Sequence, residues 1–593
     1  MRYVIGFFAT LGFLAVLLFS AGLFGVFWFA DKHAEAPELP EKMVLKVRLT
    51  GPLADVADAS PLGNLIPARR GLSLFDLVTS IDAARTDGRV TGLVMDLSGA
   101  DLGLAEAQEL RASILGFRAA GKSARVFADS FEGRGASAAY FLASAFERVT
   151  LQPSGLLDIR GLSITTPLLG RLLDEYGVRA EILTRHEFKG AAVPVTSKSL
   201  PGPIRANHAR AVESMFEQLV AGISTGRDLT PSAVRTLIDT APLVAREARS
   251  NNLVDELAYW DQMSAISGSG ANVVNLADYA HAIAAEALEA EDDDDEDRAL
   301  IALISAEGEI VRGRGQSFGN RDQAASDRLV SAIREARKEP AVKAVVLRVN
   351  SPGGSYVASD SILRALEQTR ATGIPIVVSM GNVAASGGYF ITLAADHVVA
   401  RPATITGSIG VLGGKISVGE LLSRHGVDSA EVRAGANATM FSPLKPFADG
   451  ERERLSKILD EIYGDFTARV AKRRRLSATD IDAAARGRIW TGEDALRQGL
   501  VDVLGGFEDA ISLARQSAGL EPGRKATPTV FPRRGSPLEQ LLDTIEEGDL
   551  PSLASDLGDL IRVLRYASRV EQALPKVGHS DGILLRMPDL DIR

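Results

Sequence analysis

Ser386 stands in the run Ala384-Ala385-Ser386-Gly387-Gly388, with small residues on both sides. Such neighbours leave room for a substrate carbonyl. Where a strand gives way to a helix, the free N–H groups and dipole would also stabilise a developing anion. The same run suits a packing serine or a helix N-cap. It is not the G-x-S-x-G elbow, because Ala384 takes the place of the first glycine. Upstream, Asn350-Ser351-Pro352-Gly353-Gly354 closes an apolar run. Glycines there let backbone N–H groups face outward unobstructed, as an oxyanion hole requires, although a simple tight turn has the same sequence.

A nucleophilic serine needs a base. His397 lies eleven residues on, at the far end of a predicted helix, about 16 Å away at 1.5 Å per residue. His425 falls near a helix C-terminus with no orienting carboxylate in view. A lysine can serve only if burial lowers its pKa by several units, so the residue to seek is a lysine among apolar or small neighbours.

The elements that must position these groups alternate between strand and helix. Val342–Val349 and Ile374–Ser379 read as buried strands, Ser359–Thr369 as a helix, Ser386–Ala395 as a buried helix, and Val398–Ala400 as the start of another strand. That alternation predicts an α/β fold with parallel βαβ units. The pattern occurs twice. Val90–Leu97 resembles Val342–Val349, Ala136–Phe141 resembles Ala385–Phe390, Gly170–Val178 resembles Gly419–Val427, and Leu253-Val254-Asp255 resembles Leu500-Val501-Asp502. The offset drifts only from 252 to 247 residues, which implies duplication of one domain. The expected organisation is a repeat over 43–288, an acidic linker over 289–298, a second repeat over 299–518, and a peripheral extension over 519–593 with an amphipathic helix around Leu553–Leu574. The linker holds the like-charge block 291–297, which self-repels and stays solvated.

Composition narrows the function. The 593 residues carry a net charge of −10 and no broad basic patch, which argues against a nucleic-acid partner. With no cysteine, disulfides, thiolate metal sites and a cysteine nucleophile are excluded. The seven histidines show no metal-binding spacing, so neither metal nor cofactor is expected. Val4–Ala30 is an uncharged run of 27 residues. As a helix it spans about 40 Å, enough to cross a bilayer and too long for a signal-peptide core. Residues 1–35 therefore read as an uncleaved transmembrane anchor, with Arg2 favouring the N-terminus inside.

Asn350–Gly354, Ala384–Phe390 and Ile405-Thr406-Gly407-Ser408-Ile409-Gly410-Val411, in this order and spacing, resemble the signal peptide peptidase A family. The anchor and duplicated halves resemble its long form, over roughly residues 1–515. The resemblance implies two tandem Clp-protease/crotonase-like domains, with the nucleophile in the second half and a general-base lysine in the first. Ser386 matches the nucleophile. Arg185-His186-Glu187-Phe188-Lys189-Gly190 matches the lysine segment and points to Lys189, while Lys198 and Lys445 are rivals. The repeat agrees with a divided site. Near Ala438-Thr439, where Lys189 would recur, no lysine stands; Ser137 keeps the serine but has Ala138-Ala139 in place of the glycines. Ser408 is either an accessory hydroxyl for the amine or a strand-end serine, and Trp490 reads as core.

The resulting expectation is a Ser386–Lys189 dyad, with Gly353, Gly354 and Gly387 supplying oxyanion N–H groups. The resemblance further implies a homotetrameric bowl of eight repeats, peptide substrates left over as signal peptides, and a bacterial cytoplasmic membrane with the repeats in the periplasm. An acyl-CoA enzyme of the crotonase type and an inactive membrane scaffold are the alternatives.

Overall fold

The computed structural model describes residues 37–56, 72–266, 272–289, 299–315, 323–521, 526–532 and 584–586. The expected anchor, the acidic block and the expected helix around 553–574 lie outside these. Among the described residues no helix is long and apolar enough to cross a membrane.

Two parallel sheets carry the duplication. The first holds β1 (Met43–Arg48), β2 (Val90–Asp96), β3 (Ser123–Ala128), β4 (Arg148–Leu151), β5 (Glu256–Leu257) and β6 (Asn272–Asn275), in the spatial order β5-β4-β3-β2-β1-β6. The second holds β7 (Ala299–Glu307), β8 (Val342–Ser351), β9 (Ile376–Ala385), β10 (His397–Ala400), β11 (Val503–Leu504) and β12 (Ala526–Val530), in the order β11-β10-β9-β8-β7-β12. Each strand thus finds its counterpart six places on, down to the last, which returns to the edge beside the first. The second sheet therefore reaches past residue 518, where the sequence suggests a peripheral extension. Pro528 in β12 obscures that strand, yet an edge strand tolerates proline because one side of it needs no ladder bond.

Smaller details recur as well. Tyr140 Oη donates to Leu253 O at 2.6 Å, and Tyr389 Oη to Leu500 O at 3.0 Å. The helices Gly202–Arg227 and Asp449–Arg474 each run 26 residues and end in a left-handed cap, at Asp228 and Arg475. Arg227 pairs with Asp255, and Arg474 with Asp502, each at 2.7 Å.

The second sheet is buried on both faces, which is why its strands read as near-continuous apolar runs. Leu300, Ala302, Ile304, Val345, Leu347 and Val378 face the helices of their own repeat. Ile301, Leu303, Val346 and Val377 instead join the core formed by the first repeat's helices, with Leu77, Ile81, Leu110 and Ile114. The two halves therefore share one apolar core.

Arg348 projects from β8 into that shared core and is 1% exposed. Its guanidinium donates to Asp55 Oδ1 at 2.6 and 2.8 Å, to Glu109 Oε2 at 3.2 Å and to Ser379 Oγ at 2.9 Å. It also lies 4.2 Å from the centroid of the Phe507 ring. Glu106 lies beside this group, and burial, with the charge of Asp55 second, pushes its carboxyl up to about 8. A protonated Glu106 leaves Asp55 and Glu109 as the charges that Arg348 must balance. Arg348→Met should cost about 3–5 kcal/mol, since it strands two buried carboxylates. Urea unfolding checks this, and Arg348→Met combined with Asp55→Asn and Glu109→Gln should recover most of the loss.

Candidate active site

Ser386 follows the last residue of β9, and Ser408 follows the strand Ile405–Gly407. These strands pair in parallel with Ala385 opposite Gly407, so the two serines leave the sheet side by side. Ser386 N donates to Gly407 O at 2.8 Å, and Ser408 N to Arg488 O at 2.6 Å. Both serines have positive φ, 57° and 51°. For residues with a Cβ this costs on the order of 1–3 kcal/mol and persists only where neighbours enforce it. The enforcement here is the pairing of the two strand ends.

The lysine arrives from the other repeat. The strand Arg179–Thr184 pairs antiparallel with Leu412–Ser417 of the second half, from Thr184 opposite Leu412 to Arg179 opposite Ser417. Arg185 N extends the pairing to Val411 O at 3.0 Å. The chain then turns at His186, whose φ is 64°, and delivers Lys189. Nζ of Lys189 lies 2.8 Å from Ser386 Oγ, 2.9 Å from Ser408 O and 3.1 Å from Ser408 Oγ. Lys189 is 3% exposed and Ser386 fully buried. Burial drives the amine well below the usual lysine range.

The glycines converge on the same point. A Cβ on Gly387 would sit 2.7 Å from Ser359 Oγ and 3.2 Å from both Gly353 Cα and Gly354 N. On Gly388 it would meet Ser351 O at 2.5 Å. Gly353 N donates to Ser351 Oγ at 3.2 Å, so this N–H already has a partner. The expected long helix from Ser386 to Ala395 is only a turn, Gly387–Phe390, continued by the 3-10 turn Ile391–Ala394. Individual N–H donors, rather than a long helix dipole, are what such a short element provides.

The other candidates sit elsewhere. Lys198 pairs with Asp174 at 2.7 Å and Lys445 with Glu431 at 2.8 Å, with side chains 65% and 32% exposed. Ser137 opens the helix Ala136–Ala143, with Oγ 3.5 Å from Gly161 O. His397 opens β10, and His425 caps the helix Gly419–Arg424. Trp490 packs against the second core and donates Nε1–H to Ala484 O at 2.9 Å. Gly487 is a feature that sequence reasoning missed. Its φ is 84°, and a Cβ there would lie 2.5–2.8 Å from the N, Cα and Cβ atoms of Lys189. Between two arginines it reads as an ordinary turn glycine.

The model of peptidase family S49 matches residues 119–273 and again 368–521. The chain belongs to peptidase family S49. Protease 4 of Haemophilus influenzae is 32% identical to it over 537 residues, covering 85% of this chain and 83% of that protein. Protease 4 of Salmonella typhi is 33% identical over 476 residues, 76% of this chain and 72% of that one. The chloroplastic serine protease SPPA of Arabidopsis thaliana is 26% identical over 484 residues, 80% and 70% of the two chains. This S49 chain is a serine peptidase with two tandem family domains in an α/β structure. That membership decides against the acyl-CoA and scaffold alternatives.

Two predictions follow from the lysine's surroundings. Gly487→Ala should displace Lys189 and lower kcat/KM on an apolar peptide by about 10²-fold, the usual scale for an ångström of misplacement. Gly313→Ala is the control, with φ 74° but open space around its Cβ. The second concerns stability. Between the lowered pKa of Lys189 and the ordinary 10.5, the unfolded chain holds one more proton than the folded one. Stability from this residue therefore rises with pH across that window, by up to about 1.4 kcal/mol per pH unit. Lys189→Met should remove this slope in urea unfolding at pH 7 and pH 9, and should be the more stable protein at pH 7.

Proposed function

We propose that this S49 peptidase is a membrane-anchored signal peptide peptidase working through a Ser386–Lys189 dyad. The observation that carries the reading is the 2.8 Å contact between a buried amine and the Ser386 hydroxyl. A neutral amine has two N–H donors and one lone pair. Ser408 O can only accept and takes one donor; Ser408 Oγ takes the other. The lone pair is left for the Ser386 O–H, the arrangement a general base needs. Ser408 is thus the residue that orients the amine.

In the mechanism, Lys189 removes the Ser386 proton as Oγ attacks the peptide carbonyl. Backbone N–H groups among Gly353, Gly354 and Gly387 receive the oxyanion. Lys189 returns the proton to the departing amine, and an acyl-enzyme remains on Ser386. Water, deprotonated by the same amine, then resolves it. Gly354 and Gly387 are the stronger donor candidates, since the N–H of Gly353 is already engaged with Ser351.

Signal peptides remaining in the bilayer are the proposed substrates. The long apolar N-terminal run supports this by anchoring the enzyme where such peptides lie. The same reading puts the repeats on the periplasmic side of a bacterial cytoplasmic membrane. It makes each repeat a Clp-protease/crotonase-like unit, eight of them closing a homotetrameric bowl.

The test is cleavage of apolar peptides by the detergent-solubilised full chain. Ser386→Ala should fall to background. Lys189→Met should lose about 10²–10⁴-fold, the range of a general base. Wild-type kcat/KM should rise with pH through a limb below 10.5, because the amine works only when neutral. Persistent cleavage by Ser386→Ala would remove the nucleophile from this position.

A further inference from the structure

The strand Leu584–Arg586, almost at the end of the chain, lies in the second repeat's active-site region rather than at its periphery. It pairs antiparallel with Gly353–Ser355: Arg586 opposite Gly353, Leu585 opposite Gly354, Leu584 opposite Ser355. On its other side Leu584 pairs with Leu412, again antiparallel. It thereby joins the strand carrying the oxyanion glycines to the strand that follows Ser408 and pairs with the lysine-bearing arm. It also touches the turn Gly387–Phe390, immediately after Ser386.

Strand edges beside a peptidase nucleophile have a particular meaning. An extended peptide binds such edges by main-chain hydrogen bonds, largely irrespective of side chain. Covering an edge with a strand of one's own is ordinary protection against aggregation. Here the covered edge is Gly353–Ser355 itself, so covering it and blocking it are the same act. The terminal stretch Gly582-Ile583-Leu584-Leu585-Arg586-Met587 is also chemically close to the apolar peptides proposed as substrates.

We infer that Leu584–Arg586 is a built-in competitor, seated where an extended apolar substrate pairs with Gly353–Ser355 and Leu412, and that substrate must displace it. The inference rests on the site reading given above, but binding can test it without turnover. A tail seated in nine molecules of ten raises the apparent KM about tenfold, because only the open fraction binds.

The experiment compares three detergent-solubilised chains on one apolar fluorogenic peptide: wild type, Leu585→Pro, and a chain ending at Asp581. Proline at 585 removes the N–H opposite Gly354 without touching Ser386 or Lys189. Both altered chains should show a KM about tenfold lower with kcat unchanged. A synthetic peptide of residues 582–593 should inhibit the shortened chain competitively. An unchanged KM in both altered chains would overturn the inference. Failure of the site reading looks different: no chain cleaves, or Ser386→Ala cleaves as well as wild type. In that event the labelled 582–593 peptide is titrated onto the shortened chain carrying Ser386→Ala. Saturable anisotropy supports the competitor, and its absence overturns it.

Discussion

An amine buried without the solvation its charge requires must give up its proton, and the architecture around Lys189 is what keeps it buried. The amine is enclosed by Ser386, Ser408 and the backbone at Gly410 and Gly487. In such surroundings an ammonium would lose hydration worth several kcal/mol. No local segment creates this enclosure. It requires the arm Arg179–Thr184 to lie against Leu412–Ser417, and that pairing requires the two halves to hold a fixed relation. Arg348, with Asp55 and Glu109, and the shared apolar core set that relation from the opposite side of the second sheet.

Duplication explains the economy of the design. Both halves keep the same sheet order and the same tyrosine and arginine contacts behind the sheet. They diverge where chemistry is at stake. Gly387 and Gly388 admit neighbouring backbone so closely that a methyl group would collide with Ser359 and Ser351. The first repeat has alanines at those positions, and its chain runs directly into the helix Ala136–Ala143. The first half gives up a site of its own and contributes an arm to the second.

Much of this was legible in the sequence for physical reasons. Buried parallel strands declare themselves as apolar runs, and a collinear repeat announces two copies of a fold. Ser386 stood out through its small neighbours, which steric crowding demands. The lysine was less accessible. Nothing in Phe188-Lys189-Gly190 alone says that the amine meets a serine 197 residues on, because that contact depends on antiparallel pairing across repeats. Gly487 was invisible for the same reason: the atoms it must avoid belong to the other half. Strand Ala526–Val530 escaped notice through its proline, and Leu584–Arg586 because three residues carry no period to read.

The arm between the repeats also bears on the order in which this peptidase comes into being. A chain emerging from its N-terminus presents Lys189 long before Ser386 exists. The first half can fold its own sheet, yet it holds a base with nothing to activate. Hydrolytic competence begins only when the second half has been made and docked, so biosynthesis itself acts as the safety catch.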